Sequence, residues 1–147
     1  MKEFLSRSAE ETRGRAREFA ETLQRGDIVL LVGTLGAGKT EFVRGICDVF
    51  HCTASVSSPT FTLLNIYEGV SKGSAISLYH FDLYRIESET ELPAIGFDEY
   101  LFGDGVSIVE WADRFPRFFP KQAITVQIEP CGENERRVVI SGGKSRF

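Results

Sequence analysis

Asp27-Ile28-Val29-Leu30-Leu31-Val32-Gly33-Thr34-Leu35-Gly36-Ala37-Gly38-Lys39-Thr40 decides the fold. The opening residues are almost continuously apolar, the pattern of a strand buried on both faces of a helix-covered sheet. Gly33 to Thr40 then match a glycine, four free positions, and Gly-Lys-Ser/Thr at every fixed place. Glycines let the backbone turn with its N–H groups pointing inward. With a helix N-terminus behind them, those groups form an anion site. Lys39 has the reach for β- and γ-phosphates, and the Thr40 hydroxyl suits Mg²⁺. Four fixed positions match by accident in roughly one chain of this length in a few hundred, and context reduces that further. The motif needs a buried strand before it and a helix after it. Phe42, Val43, Ile46, Val49 and Phe50 give the following stretch a helical apolar face. Gly33, Thr34, Leu35, Gly36, Ala37, Gly38, Lys39 and Thr40 are therefore read as a nucleoside triphosphate cradle.

Toward the N-terminus, Ser8-Ala9-Glu10-Glu11 is a capping box. Ala16, Phe19, Ala20 and Leu23 continue it as one buried helical stripe, with Gly26 as the stop. Downstream, Cys52 to Pro59 reads as a loop. Phe61–Tyr67 and Ala75–Phe81 read as strands of a hairpin, with Glu68–Gly73 as the turn. Ser88-Glu89-Thr90-Glu91 opens a short helix, and Val106–Trp111 is an apolar strand. Ile124–Ile128 and Arg137–Ile140 alternate around a Gly-Glu-Asn turn as a terminal hairpin. The expectation is one α/β domain over residues 1–147, with a phosphate-loop NTPase-like mixed central sheet flanked by helices. Residues 142–147 are expected to form a flexible tail.

The 147 residues carry a net charge of -4, so no large electrostatic footprint for nucleic acid is expected. The three Cys include no C-x-x-C pair, so neither a disulfide framework nor a zinc site is suggested, and all three are expected to be buried. Met1 to Arg7 lacks the apolar run of a signal peptide, and no stretch approaches membrane-spanning length. A cytoplasmic protein without membrane attachment is expected.

A phosphate loop fixes nucleotide binding but not purpose. No Asp begins a D-x-x-G switch and no Asn-Lys pair exists, which argues against a signalling GTPase. Three readings remain: an ATPase serving a partner, a kinase phosphorylating a small molecule, and a nucleotide-dependent binding module. The magnesium site needs a carboxylate at the end of a second apolar strand. Asp82 ends one such strand and Glu110 another. Either carboxylate can hold an ion or orient attacking water. Arg114-Phe115-Pro116-Arg117-Phe118-Phe119-Pro120 reads as a loop whose aromatics cap the sheet, or as a docking surface. His51 stands at a helix end, where it complements the dipole.

Four motifs, in order, resemble the TsaE family, the small ATPases of tRNA threonylcarbamoyladenosine biosynthesis in bacteria. They are Leu35-Gly36-Ala37-Gly38-Lys39-Thr40, Ser58-Pro59-Thr60-Phe61-Thr62-Leu63, His80-Phe81-Asp82-Leu83-Tyr84-Arg85 and Ile108-Val109-Glu110-Trp111. The first is shared by many ATPases, whereas the second and third together are specific. The resemblance runs from the first helix to about residue 129. It implies ATP and Mg²⁺ as ligands, slow hydrolysis by the chain alone, and TsaD and TsaB as partners. Together these form the threonylcarbamoyl group on adenosine 37 of tRNAs reading ANN codons. The resemblance gives this chain no transfer step of its own, and tRNA is met only through the complex. It also implies site roles. Lys39 and the loop amides would hold phosphates, and Thr40 and Glu110 would ligate Mg²⁺. Asp82 would orient or activate water. Thr60 would sit in a switch-like loop near the γ-phosphate, and Trp111 beside the nucleotide. His80, Tyr84 and Arg85 are either structural at the strand end or, for Arg85, aimed at phosphate or a partner. Two positions depart from the family pattern: Thr34 replaces the usual acidic residue, and Glu41 replaces a second Thr. Neither touches Lys39 or Thr40.

Overall fold

Ser8 begins the first helix, as its box predicts. Its Oγ accepts the Glu11 N–H at 3.0 Å, while Glu11 reaches back to the Arg7 N–H at 3.3 Å, one residue before the cap. In the computed structural model, which describes residues 1–34, 38–53, 64–93 and 96–143, this helix, α1, spans Ala9–Ala20. It does not run on to Gly26. The Thr22 hydroxyl donates to the Phe19 carbonyl at 2.7 Å, and the Thr22 and Leu23 amides make tighter three-residue bonds to Phe19 and Ala20. A side chain competing for a carbonyl ends regular winding there. Leu23 stays buried, so the apolar stripe survives.

The chain builds a seven-stranded sheet in the order β1-β7-β6-β2-β5-β4-β3. The strands are β1 (Lys2–Ser6), β2 (Ile28–Val32), β3 (Leu64–Ser71), β4 (Ser74–Asp82), β5 (Val106–Glu110), β6 (Ile124–Pro130) and β7 (Arg136–Gly142). β2, β4, β5 and β6 run parallel, whereas β1, β3 and β7 are antiparallel to their neighbours. The mixed α/β sheet is therefore as expected. Glu110 pairs in register with Leu31 on one side and Asp82 on the other. The C-terminal ends of β2, β5 and β4 thus arrive side by side, where open parallel sheets place ligands.

One face of the sheet is covered by α1 and by α2 (Lys39–Val49), whose Phe42, Val43, Ile46 and Cys47 are buried. The two helices touch closely. A Cβ added at Gly45 would lie 2.5 Å from the Ala16 Cβ and 2.5 Å from the Arg13 carbonyl oxygen. Asp48 locks the pair by accepting two bonds from Arg13 at 2.8 Å and one from Arg17 at 2.9 Å. The other face is covered by shorter pieces that carry Leu83, Ile86, Leu92, Phe97, Leu101 and Phe115. Phe118 and Phe119 stand edge-on to Phe97, 6.5 and 5.9 Å between ring centres. The Phe115–Phe119 stretch therefore caps the sheet.

Several elements differ from expectation. β1 was not foreseen, and neither were α3 (Phe97–Leu101) and the short 3₁₀ turns at Ala112–Arg114 and Pro116–Phe118. The β3–β4 turn is not Glu68–Gly73. The strand continues to Ser71, and the reversal is made by Lys72 and Gly73, both left-handed at φ 50° and 80°. That pair gives a two-residue turn whose twist matches the strands. Phe61 to Leu63, the start of the expected strand, lie outside the described residues. β7 runs through Gly142, which pairs with Ile124, so residue 142 belongs to the sheet and not to a tail. Cys47 is buried and Cys52 partly so, but Cys131 is exposed in the β6–β7 connection, contrary to expectation. Among the described residues, no helix is long and apolar enough to cross a membrane.

Candidate functional site

Lys39 opens α2 directly after Gly38, which caps the helix at φ 102°. Only a residue without Cβ adopts that backbone freely. The Lys39 side chain is 6% exposed. Its Nζ donates to the Gly33 carbonyl oxygen at 2.8 Å, lies 3.8 Å from Glu110 Oε1 and sits 4.0 Å above the centre of the Trp111 ring. Burial pushes its pKa below the usual lysine value. The charges of Glu110, then Asp82, Asp113 and Glu129, oppose that shift without cancelling it. A buried ammonium whose charge is only partly compensated attracts a polyanion.

Glu110 is buried, and its two oxygens face different partners. Oε1 faces Lys39, while Oε2 lies 2.6 Å from His80 Nε2. Alternation along β4 and β5 puts His80, Asp82, Ile108 and Glu110 on the helix-covered face, and Ile108 is part of that core. His80 is fully buried, with Nδ1 3.2 Å from the Tyr67 hydroxyl.

Asp82 ends β4 half-buried, and its Oδ1 accepts the Tyr84 N–H at 2.9 Å. Burial raises its pKa above the usual carboxylate value, with the charge of Glu110 adding to the shift. The Tyr84 N–H, Lys39 and His80 act against it. The turn after Asp82 is held firmly. The Leu83 N–H donates to the Glu110 carbonyl at 3.1 Å, and the Arg114 guanidinium donates to the carbonyls of Leu83 and Tyr84. The Tyr84 ring lies 5.0 Å from that of Trp111. Trp111 itself has φ 62°, an uncommon left-handed conformation for a bulky residue.

The structure thus brings together Gly33, Gly38, Lys39, Glu110, Trp111 and, at the adjacent strand end, Asp82. Thr40 lies in the first turn of α2, and Thr34 is exposed where the loop leaves β2. Leu35, Gly36, Ala37 and Thr60 lie outside the described residues. Arg85 is exposed. A cleft of about 450 Å³ opens beside Gly38, bordered by Arg7, Thr12, Glu41, Asn134 and Arg136. Sequence reading missed this cleft because its walls come from opposite ends of the chain. It also missed the contact of His80 with Glu110, although the parity of His80 and Asp82 on one strand was a usable signal.

Among the described residues, no group of three or more His, Cys, Asp or Glu side chains is arranged to hold a metal. A site offering one buried carboxylate and one hydroxyl suits Mg²⁺, which takes few protein ligands and completes its shell with phosphate and water.

The family model described as "Threonylcarbamoyl adenosine biosynthesis protein TsaE" matches residues 6–138. The tRNA threonylcarbamoyladenosine biosynthesis protein TsaE of Bacillus subtilis is 38% identical over 139 residues, covering 94% of this chain and 84% of the relative. The protein of that description from Treponema pallidum is 34% identical over 137 residues, covering 93% and 98%. The one from Aquifex aeolicus is 38% identical over 143 residues, covering 95% and 96%. The crystal structure of Bacillus subtilis YdiB superposes with a TM-score of 0.80 at 32% identity, covering 99% of this chain and 88% of that one.

Proposed function

Because the chain belongs to the TsaE family of tRNA threonylcarbamoyladenosine biosynthesis proteins, we propose that it is the Mg²⁺-dependent ATPase of that pathway, acting in the cytoplasm with TsaD and TsaB. The observation that carries this reading is the Lys39 ammonium, buried behind a phosphate-loop sequence and flanked by Glu110. ATP is the substrate. Lys39 exchanges the Gly33 carbonyl for β- and γ-phosphate oxygens, and the loop amides from Gly33 through Gly38 complete the cradle. Glu110 and the Thr40 hydroxyl hold Mg²⁺, which when bound neutralises charge on the transferring phosphoryl group. Asp82 orients the attacking water, and its raised pKa makes it a better proton acceptor than an exposed carboxylate. Thr60 acts beside the γ-phosphate, and Trp111 walls the phosphate end. The cleft beside Gly38 receives the nucleoside end. The chain does not transfer the threonylcarbamoyl group. With a net charge of -4 it meets tRNA through its partners.

Product analysis tests the chemistry. Phosphate released without a phosphorylated acceptor supports hydrolysis, whereas stoichiometric transfer to a small metabolite establishes a kinase instead. Co-purification with TsaD and TsaB, with and without ATP, tests the partnership. Absence of binding in both conditions removes it.

A further inference from the structure

We propose that His80 and Tyr67 form a buried relay that fixes the carboxylate of Glu110 in the orientation needed for magnesium. The proposal rests on the reading of Glu110 as a metal ligand.

The hydrogen bonds link up into one chain that ends on Glu110. An ionised carboxylate only accepts, so His80 Nε2 donates to Glu110 Oε2 across 2.6 Å. On the other side of the ring, His80 Nδ1 lies 3.2 Å from the Tyr67 hydroxyl. The Tyr67 oxygen in turn accepts from the Asn65 side-chain amide at 3.4 Å. The chain therefore runs Asn65, Tyr67, His80, Glu110. Its register supports this: Asn65 lies opposite His80 across the β3–β4 ladder, and Tyr67 lies two residues on along the same face. His80 is fully buried and Tyr67 is 3% exposed, so water does not compete for the two bonds made by the imidazole.

The relay has a specific consequence at the site. With Oε2 held, the carboxylate cannot rotate about its terminal bond, and Oε1 stays 3.8 Å from the Lys39 nitrogen. Without the His80 hydrogen bond the carboxylate turns freely and closes on Lys39. That closure takes the lysine from phosphate and the oxygen from metal together. Groups holding a ligating carboxylate commonly change metal affinity 10- to 100-fold when removed. His80 and Tyr67 are positioning residues, since neither touches the nucleotide in this reading.

The test titrates Mg²⁺ in the presence of the imido analogue of ATP, following the emission of Trp111, the single tryptophan of the chain. His80→Phe is expected to raise the magnesium midpoint roughly 10- to 100-fold. His80→Gln, whose amide keeps an N–H at the Nε2 position, recovers most of that loss. Tyr67→Phe shifts the midpoint less, and adds nothing in the His80→Gln background, which has no imidazole to orient. With only two histidines, nitrogen NMR of the wild type should show one ring whose Nε2–H is held in a strong hydrogen bond. Thermal melts establish that the variants fold. If His80→Phe does not fold, Tyr67→Phe and His80→Gln decide the matter. Folded variants with wild-type midpoints overturn the relay alone. A wild type with no magnesium dependence overturns the metal reading of Glu110 and the relay with it.

Discussion

The Lys39 ammonium rests 4.0 Å above the Trp111 ring, and Trp111 adopts a left-handed backbone to put its ring there. Non-glycine residues in this conformation carry strain, commonly on the order of 1–3 kcal/mol, and cluster at functional sites. The resting lysine is thus clasped by the Gly33 carbonyl, one carboxylate and an aromatic face. ATP binding exchanges at least the first of these for phosphate. Indole emission should therefore change on nucleotide addition. Lys39→Ala should remove that change and weaken ATP binding roughly 10- to 150-fold, the equivalent of a charged hydrogen bond. Calorimetry showing wild-type affinity refutes the role.

Glu110→Gln keeps the shape of the side chain and deletes its charge. The magnesium requirement of turnover should move to higher concentration by roughly tenfold or more. An unaltered titration argues against a metal role for this residue.

Asp82 gives a prediction with opposite signs for activity and stability. Burial raises its pKa, so the fold carries the cost of an ionised, desolvated carboxylate at neutral pH. That cost is absent below the ordinary carboxylate range and fully expressed above the raised value. Asp82→Asn should therefore melt higher than wild type at pH 7, with the gap closing in acid, while turnover falls and ATP still binds. Unchanged turnover with ATP bound eliminates Asp82 as the water-orienting group.

Asp48 titrates the other way. The Arg13 hydrogen bond, assisted by Arg17, holds its pKa down at about 2 against an ordinary 3.8. Its stabilising effect is complete above the ordinary value and is lost as pH falls from about 4 toward 2. Asp48→Asn should cost about 1–2 kcal/mol at pH 7, after allowance for solvent screening. Urea midpoints measured across that acid window should converge.

Gly45→Ala tests the helix pair. The added methyl meets the Ala16 side chain and the Arg13 backbone, both at 2.5 Å. A loss of about 1–3 kcal/mol is expected, as for other overpacked sites. A urea midpoint equal to wild type contradicts the close approach.

Residues 27–34 and 38–50 were readable because everything that shapes them is local: an apolar strand, a left-handed glycine and a helical stripe. The caps at Ser8 and Ser88 and the hairpin of β6 and β7 follow for the same reason. Asp82 and Glu110 could be picked out as strand-end carboxylates, but their register could not, because strand order is a tertiary fact. His80 hid behind that same gap. Its partner Glu110 lies two residues from Ile108, its own neighbour across β4 and β5, and no local pattern states which strands adjoin. β1 was invisible for another reason. Lys2 and Glu3 make it a polar edge strand without alternation, and its place is set by pairing with β7.

That pairing also orders events in time. Ser6 lies against Arg136 and Lys2 against Ile140, so β1 adjoins the strand farthest from it in sequence. β1 can join the sheet only once β7 has been made. Contacts between such distant segments form slowly, because chain entropy must be lost before they form. The sheet edge beyond β6 is therefore sealed only after β2, β4 and β5, the strands that carry the site, have been made.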